Sequence, residues 1–402
     1  MLQTWPATFP ALAQRVHDQR LVFLDSAATT LRPQSVIDAL VDYYATDNAN
    51  PARVHTLASR AADRLAGARR AVAQFVNAGD MSEIVFVRGT TEGINLVAGT
   101  WGAANLHAGD EVILPIAEHA SHLMPWARAA KHAGATLRIC DVDDEGRLHP
   151  EELAKHLSTR TKLVAFSHVS NVLGYVNPAR ELCAVAREAG AHVVIDGAQG
   201  APHVKVDVRD LDCDFYVFSG HKMLGPMGTG VVWGRRELLD AMPAYHVGSN
   251  MAHDVEFDAM TLEHGAQKFQ AGTPDVAGPV GLAAAVGFLE GARSALQRHD
   301  EALVRHGLAE LRKVPGLRLI GPSMPEQRVP VFTFVVEGHR AVAVAQALDR
   351  QGIAVRAGDM AALPLLKRFG TTEAVRASAY VYSTPDDLDR LALALRKLSF
   401  RA

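Results

Sequence analysis

The chain has 402 residues, 48% of them hydrophobic and 21% charged, with a formal net charge of -3. That is enough chain for a large domain plus a smaller one, and it gives no global field that would draw nucleic acid or anionic lipid. Cys140, Cys183 and Cys213 form no CxxC pair, so neither a disulfide framework nor a metal site is expected.

The opening residues Met1-Leu-Gln-Thr-Trp-Pro carry no basic stretch followed by an apolar run, so no secretory signal is expected. No segment approaches the roughly 18 consecutive apolar residues of a membrane span, and a cytoplasmic protein is the plain expectation. Apolar runs of strand length then alternate with Ala-rich segments of helical spacing. Strands are expected at 83–87, 111–115, 136–140, 162–167, 192–196, 214–218 and 230–234, and helices at 59–76, 120–133, 151–157 and 179–189. This alternation predicts an α/β fold with a mostly parallel seven-stranded sheet. Beyond about residue 275 the texture changes to a long Ala/Gly/Leu-rich helix over 279–311. Strands near 329–336 and 353–356 and a last helix over 385–398 follow. A large domain over 23–275 and a smaller α+β domain from 1–22 and 276–402 are expected.

Three segments carry chemistry. Phe86-Val-Arg-Gly89-Thr90-Thr91-Glu92 reads as a strand, a turn with two hydroxyls, and the first turn of a helix. Free N–H groups and the positive end of the helix dipole make that arrangement a phosphate cradle, although it matches neither a Walker loop nor GxGxxG. Val193-Val-Ile-Asp196 is an apolar strand closed by a carboxylate, with Gln199 just beyond. Asp214-Phe-Tyr-Val-Phe-Ser219-Gly-His221-Lys222 is another strand, ending in a lysine beside a Gly-rich turn. A lysine at a strand's C-terminal edge sits where open α/β sheets bind ligands. Partial desolvation there lowers its pKa enough for Schiff-base chemistry. An aspartate at the neighbouring strand end can pair with a protonated pyridine nitrogen.

In combination, FVRGTTEGINLV (86–97), HVSNVLG (168–174), DGAQ (196–199), DCDFYVFSGHK (212–222) and AGTP (271–274) resemble cysteine desulfurases and selenocysteine lyases. Those are class V aminotransferase relatives of fold type I, the pyridoxal 5′-phosphate (PLP) transferase fold. The resemblance runs from about Phe23 to the C-terminus. It implies that Lys222 is the Schiff-base lysine and the base for the substrate Cα proton. Asp196 would face the pyridine nitrogen and Gln199 the phenolate. Thr90, Thr91, Ser219 and His221 would hold the phosphate, and Asn171 would lie beside the ring. His119 would stack on the ring and relay protons. Thr273 would reach the phosphate of a neighbouring subunit, implying a homodimer with shared sites. Arg376 would grip the carboxylate of an amino-acid substrate, with Arg356 a second candidate; beside the resemblance, His55 and His122 are candidates to line the substrate pocket or to be structural. No metal is implied.

The chain leaves the family pattern at one place. Cysteine desulfurases carry a loop cysteine that takes sulfur as a persulfide. The matching stretch, between Arg356-Ala-Gly358 and Pro364-Leu365, holds Ala361. Asp359 and Met360 beside it differ as well, as do Ala120-Ser121-His122. Several changes around one pocket read as a divergent branch rather than a single engineered exchange. The three cysteines all read as small core residues. The expectation is a PLP-dependent carbon–sulfur or carbon–selenium lyase on a cysteine-type amino acid. Aminotransferase, epimerase, desulfurase or selenocysteine lyase, and silent partner in sulfur transfer are the alternatives.

Overall fold

The computed structural model describes residues 5–399. The seven expected strands form one sheet: β1 (Ile84–Val87), β2 (Glu111–Pro115), β3 (Thr136–Cys140), β4 (Thr161–Ser167), β5 (His192–Asp196), β6 (Phe215–Ser219) and β7 (Gly230–Gly234). Their order is β1-β7-β6-β5-β4-β2-β3. β6, β5, β4, β2 and β3 run parallel, while β7 is antiparallel to both β6 and β1. A sheet covered on both faces reads as continuous apolar sequence, and successive side chains divide between two cores. Tyr216 and Phe218 of β6 join one cluster, with Phe166 and Ile195. Phe215 and Val217 join the other, with Ala165 and Val194.

The helices that matter to the site are α1 (Thr56–Phe75), α2 (Thr90–Val97), α3 (Ala120–Ala133), the single turn α4 (Gly200–His203) and α5 (Ala277–Leu311). α3 stops at Gly134, whose φ of 70° suits a left-handed C-terminal cap. No helix among the described residues is long and apolar enough to cross a membrane.

A second, four-stranded sheet contains β8 (Leu317–Ile320), β9 (Val331–Val336), β10 (Arg356–Gly358) and β11 (Ala374–Ser378), in the order β8-β9-β11-β10. Its core collects Phe332, Phe334 and Val375 together with Val22 and Leu24 from near the start of the chain. Val22–Phe23 pairs in parallel with Ile353–Ala354, which ties the N-terminal segment to the C-terminal third. Residues 1–4 and 400–402 of the expected small domain lie outside the described residues. α5 spans both halves. Leu282, Leu289 and Leu296 pack in the large-sheet core, and Leu303, Val304 and Leu308 in the small one.

Some expectations need correction. The run expected at 353–356 is two short strands in different sheets, Ile353–Ala354 and Arg356–Gly358. The strand expected over 214–218 runs from Phe215 to Ser219, and the buried Cys213 lies in the connection before it.

Candidate active site

β4, β5 and β6 end side by side in Ser167, Asp196 and Ser219, and these three residues line one cavity of about 420 Å³. This is the carboxyl edge where open α/β sheets bind ligands. Lys222 follows β6 by a single tight turn. Gly220 N–H donates to Thr229 O at 2.8 Å, and Met223 and Gly225 N–H both return to Gly220 O at 2.9 Å. A Cβ on Gly220 would stand 3.0 Å from Thr229 O, so the turn needs glycine there. The carbonyl of His221, one residue before the lysine, accepts from Thr30 N at 2.9 Å, Thr30 Oγ1 at 3.0 Å and Thr29 Oγ1 at 3.2 Å. The backbone at Lys222 is therefore fixed from both sides.

The Lys222 side chain forms no hydrogen bond or salt bridge among the described residues. Burial pulls its pKa below the ordinary lysine value; the Asp196 charge opposes this, and Arg376 adds to it. Asp196 Oδ1 accepts from Ala198 N at 2.8 Å, which leaves Oδ2 for the cavity. His119 is the N-cap of α3, its Nδ1 accepting from Ser121 N at 3.1 Å. Burial, reinforced by the Lys222 charge, holds the His119 pKa at about 4. The ring is then neutral at neutral pH, and because Nδ1 accepts, its proton sits on Nε2.

Gly89 caps α2 with φ at 155°, and a Cβ there would lie 3.2 Å from Ser219 Oγ. Ser219 Oγ accepts from Thr90 N at 2.8 Å and stands 2.7 Å from Thr90 Oγ1. The first turn of α2, Ser219 and His221 lie side by side on one wall of the cavity. Thr91 Oγ1 donates to Ser121 Oγ at 2.9 Å, joining the starts of α2 and α3.

Arg376 reaches the cavity from β11, paired in register with Arg356 of β10. Asp25 lies between them, 2.6 Å from Arg356 Nη2 and 3.7 Å from Arg376 Nη2. Arg376 Nη1 donates to Asn171 O at 2.9 Å, and its buried Nε has no partner. Burial lowers the Arg376 pKa to about 10. The turn Asp359–Ala361 adds to the wall after Arg356 and Ala357. Asn171 Nδ2 donates to Met360 O at 3.0 Å and Ala120 N to Ala361 O at 2.7 Å. Met360 and Ala361 both adopt φ of 53°.

The cavity brings together Lys222, Asp196, His119, Thr90, Thr91, Asn171, Gln199, Ser219, His221, Arg356 and Arg376. Gln199 spends one amide hydrogen on Ala27 O at 2.7 Å. Three expected residues lie elsewhere in this chain. His55 is exposed and caps α1, its Nδ1 accepting from Ala58 N at 3.2 Å. Thr273 lines a separate surface cavity with Arg88 and Glu92. His122 is wholly buried, 2.8 Å from Glu118, and does not reach the cavity. The sequence reading passed over Asp25, Ser121 and Ser167 as site residues. Asp25 ends the apolar run Val22–Leu24 just as Asp196 ends its strand, and that signal was there to be used.

The family model for class-V aminotransferases matches residues 22–391. A cysteine desulfurase of Synechococcus elongatus is 46% identical over 392 residues, which is 97% of this chain but 62% of that protein's length. A probable cysteine desulfurase of Halalkalibacterium halodurans is 44% identical over 391 residues, covering 97% of this chain and 96% of its own. Among solved structures, a cysteine desulfurase of Escherichia coli matches with a TM-score of 0.90 at 37% identity, over 100% of this chain and 98% of that one. The apo cysteine desulfurase of Thermococcus onnurineus matches with a TM-score of 0.92 at 34% identity, over 98% and 99%.

Proposed function

The chain belongs to the class V aminotransferase family, and from that premise we propose that it is a PLP-dependent lyase that breaks the Cβ–S or Cβ–Se bond of a cysteine-type amino acid. Four features of the site fit the cofactor. The Gly89–Thr90 cradle would be narrowed by any side chain at 89. His221 Nδ1 is buried without a partner. Asp196 keeps one oxygen towards the cavity, and Lys222 is desolvated and unpaired. When bound, PLP draws electrons out of the substrate Cα through its ring.

The chain's own groups divide the remaining work. Thr90, Ser219, His221 and the N-terminus of α2 would hold the phosphate, with Thr91 at the same turn. Asp196 would pair with the ring nitrogen and Gln199 with the phenolic oxygen, and His119 and Asn171 would flank the ring. Arg376, supported by Arg356 and held by Asp25 and Asn171, takes the substrate carboxylate; its fork suits a bidentate pair. Lys222, its pKa lowered by burial, removes the Cα proton. The Cβ–S electrons leave with the sulfur, and the remaining three-carbon fragment hydrolyses to pyruvate and ammonia. Thr273, exposed on this chain, would serve the site of a second copy in a homodimer.

The observation that carries the reading is Ala361 on the cavity wall. No cysteine lines the cavity. Burial raises the Cys140 and Cys183 thiols to about 12, and holds Cys213 well above its ordinary value. The chain thus offers no thiolate to accept sulfur. The second reading is desulfurase chemistry releasing alanine, favoured by what the relatives are called. A product assay on the PLP-loaded protein with L-cysteine, L-cystine, selenocysteine and a cysteine S-conjugate separates the two. Pyruvate in step with released sulfur or selenium supports the lyase, and alanine in step with it sinks that reading. Neither product would turn attention to racemisation and amino transfer.

A further inference from the structure

Two helices begin at the active-site cavity, and they reach it differently. α2 brings Thr90 and Thr91 to the wall, with Thr90 bonded to Ser219 through both its N–H and its hydroxyl. α3 brings its N-cap His119 and Ser121 to the same cavity. The first N–H groups of a helix lack partners inside it and commonly take an anion. In α3 they are already spent. Ala120 N donates to Ala361 O at 2.7 Å, Ser121 N to His119 Nδ1 at 3.1 Å and His122 N to His119 O at 2.8 Å. Beside the Nε2 proton of His119, the start of α3 can therefore offer the cavity only the Ser121 hydroxyl.

That hydroxyl is held from one side. Thr91 Oγ1 donates to Ser121 Oγ at 2.9 Å, and the Thr91 carbonyl is fixed in turn by Asn95 Nδ2 at 2.8 Å. Two hydroxyls carry two hydrogens between them. The contact consumes the one on Thr91, so the Thr91 hydroxyl has none left for a ligand. The one on Ser121 has no acceptor among the described residues. A hydroxyl that accepts one hydrogen bond is also polarised towards donating the next. The row Ser219, Thr90, Thr91, Ser121 thus ends in an uncommitted donor. It lies in the Ala120-Ser121-His122 stretch where the chain leaves the family pattern.

We infer that Ser121 is a further phosphate-binding residue, its hydroxyl donating to a phosphate oxygen of PLP, and that Thr91 acts through Ser121 rather than on the phosphate itself. An ionised phosphate oxygen is a strong acceptor, and bonds to such oxygens are roughly twice as strong as neutral ones. The positive ends of α2 and α3 favour the same charge. PLP must occupy the cavity with its phosphate at the start of α2 for this to hold; which bond the active site breaks is immaterial.

Absorbance titration of the cofactor-stripped full-length protein with PLP, and separately with pyridoxal, tests the role of Ser121. Pyridoxal can react with Lys222 but carries no phosphate. Ser121→Ala should weaken PLP by about ten- to a hundredfold and leave pyridoxal binding unchanged. Thr91→Val removes a hydroxyl but keeps the donor, and should cost PLP less than Ser121→Ala does. Unaltered PLP affinity in Ser121→Ala overturns the assignment. So does an equal loss of PLP and pyridoxal, which would mark a structural role, or a larger loss in Thr91→Val. If the unaltered protein takes up no PLP at all, the cofactor reading falls together with this one, an outcome distinct from the other three.

Discussion

The Ala361 carbonyl accepts the Ala120 N–H at 2.7 Å. That bond fastens the Asp359–Ala361 turn to the first turn of α3, and it uses a helix-start N–H that would otherwise lack an intrahelical acceptor. Asn171 on Met360 O and Asp359 Oδ1 on Ala361 N, at 3.0 Å each, complete the attachment. The turn is a built wall of the cavity, and residue 361 lines that cavity together with Lys222.

Replacing Ala361 by Cys therefore puts a thiol on that wall without disturbing the backbone bonds that hold it. With cysteine as substrate, the variant should acquire protein-bound sulfur and give more alanine relative to pyruvate. Radiolabelled cysteine followed by gel separation under non-reducing conditions reads the first. A variant that stays unlabelled would show that position 361 cannot reach the substrate sulfur.

Lys222→Ala should abolish both the cofactor's long-wavelength absorbance band and all turnover, while the thermal unfolding midpoint changes little. The side chain forms no bond that folding relies on, so the loss would be chemical rather than structural. Turnover surviving in this variant would refute the assignment of the base.

Arg376→Lys keeps the charge but removes the fork, and with it the bond to Asn171 O. A charge-assisted pair is worth about 1.5–3 kcal/mol. The expected result is KM for the amino acid raised by roughly ten- to a hundredfold with a smaller change in kcat. An unchanged KM would hand the carboxylate to Arg356.

Acid should weaken the fold through His168. It is buried, with Nδ1 2.9 Å from the Tyr216 hydroxyl, and burial lowers its pKa from 6.5 to about 4. Between those values the unfolded chain takes up a proton that the folded chain refuses, so stability falls as pH drops below 6.5 and this loss levels off near pH 4. His119 and His221, each also near 4, act in the same direction. Urea midpoints at about pH 7 and about pH 5 should differ less for His168→Gln than for the unaltered protein. Equal differences would mean His168 is not a source of the acid sensitivity.

The site residues most legible in the sequence were those at the junction of an apolar run and a glycine-bearing turn. Asp196, Ser219, Lys222 and Thr90 stand where two rules meet, strand period and ligand-binding edge. Arg376 was read from family likeness, but its strand was missed because the arginine and serine in Ala374–Ser378 break the apolar pattern that marks β4–β6. Residues far apart in the chain were harder to place. Nothing local says that His122 turns inward to Glu118 while His119 faces the cavity, or that His55 and Thr273 stay outside this chain's own site. The left-handed turn at Met360 and Ala361 was equally hidden, since neither residue type announces a positive φ.

The long helix α5 bears on how the molecule moves. At 35 residues and about 1.5 Å per residue, it is a rod rooted in both cores, with no linker where one half gives way to the other. A hinge of the usual kind has nowhere to sit along it. Widening the cleft between Lys222 and Arg376 would have to flex that rod or slide it, so the two halves should unfold in one transition. Substrate entry is then left to side chains and short turns rather than to a swing of domains.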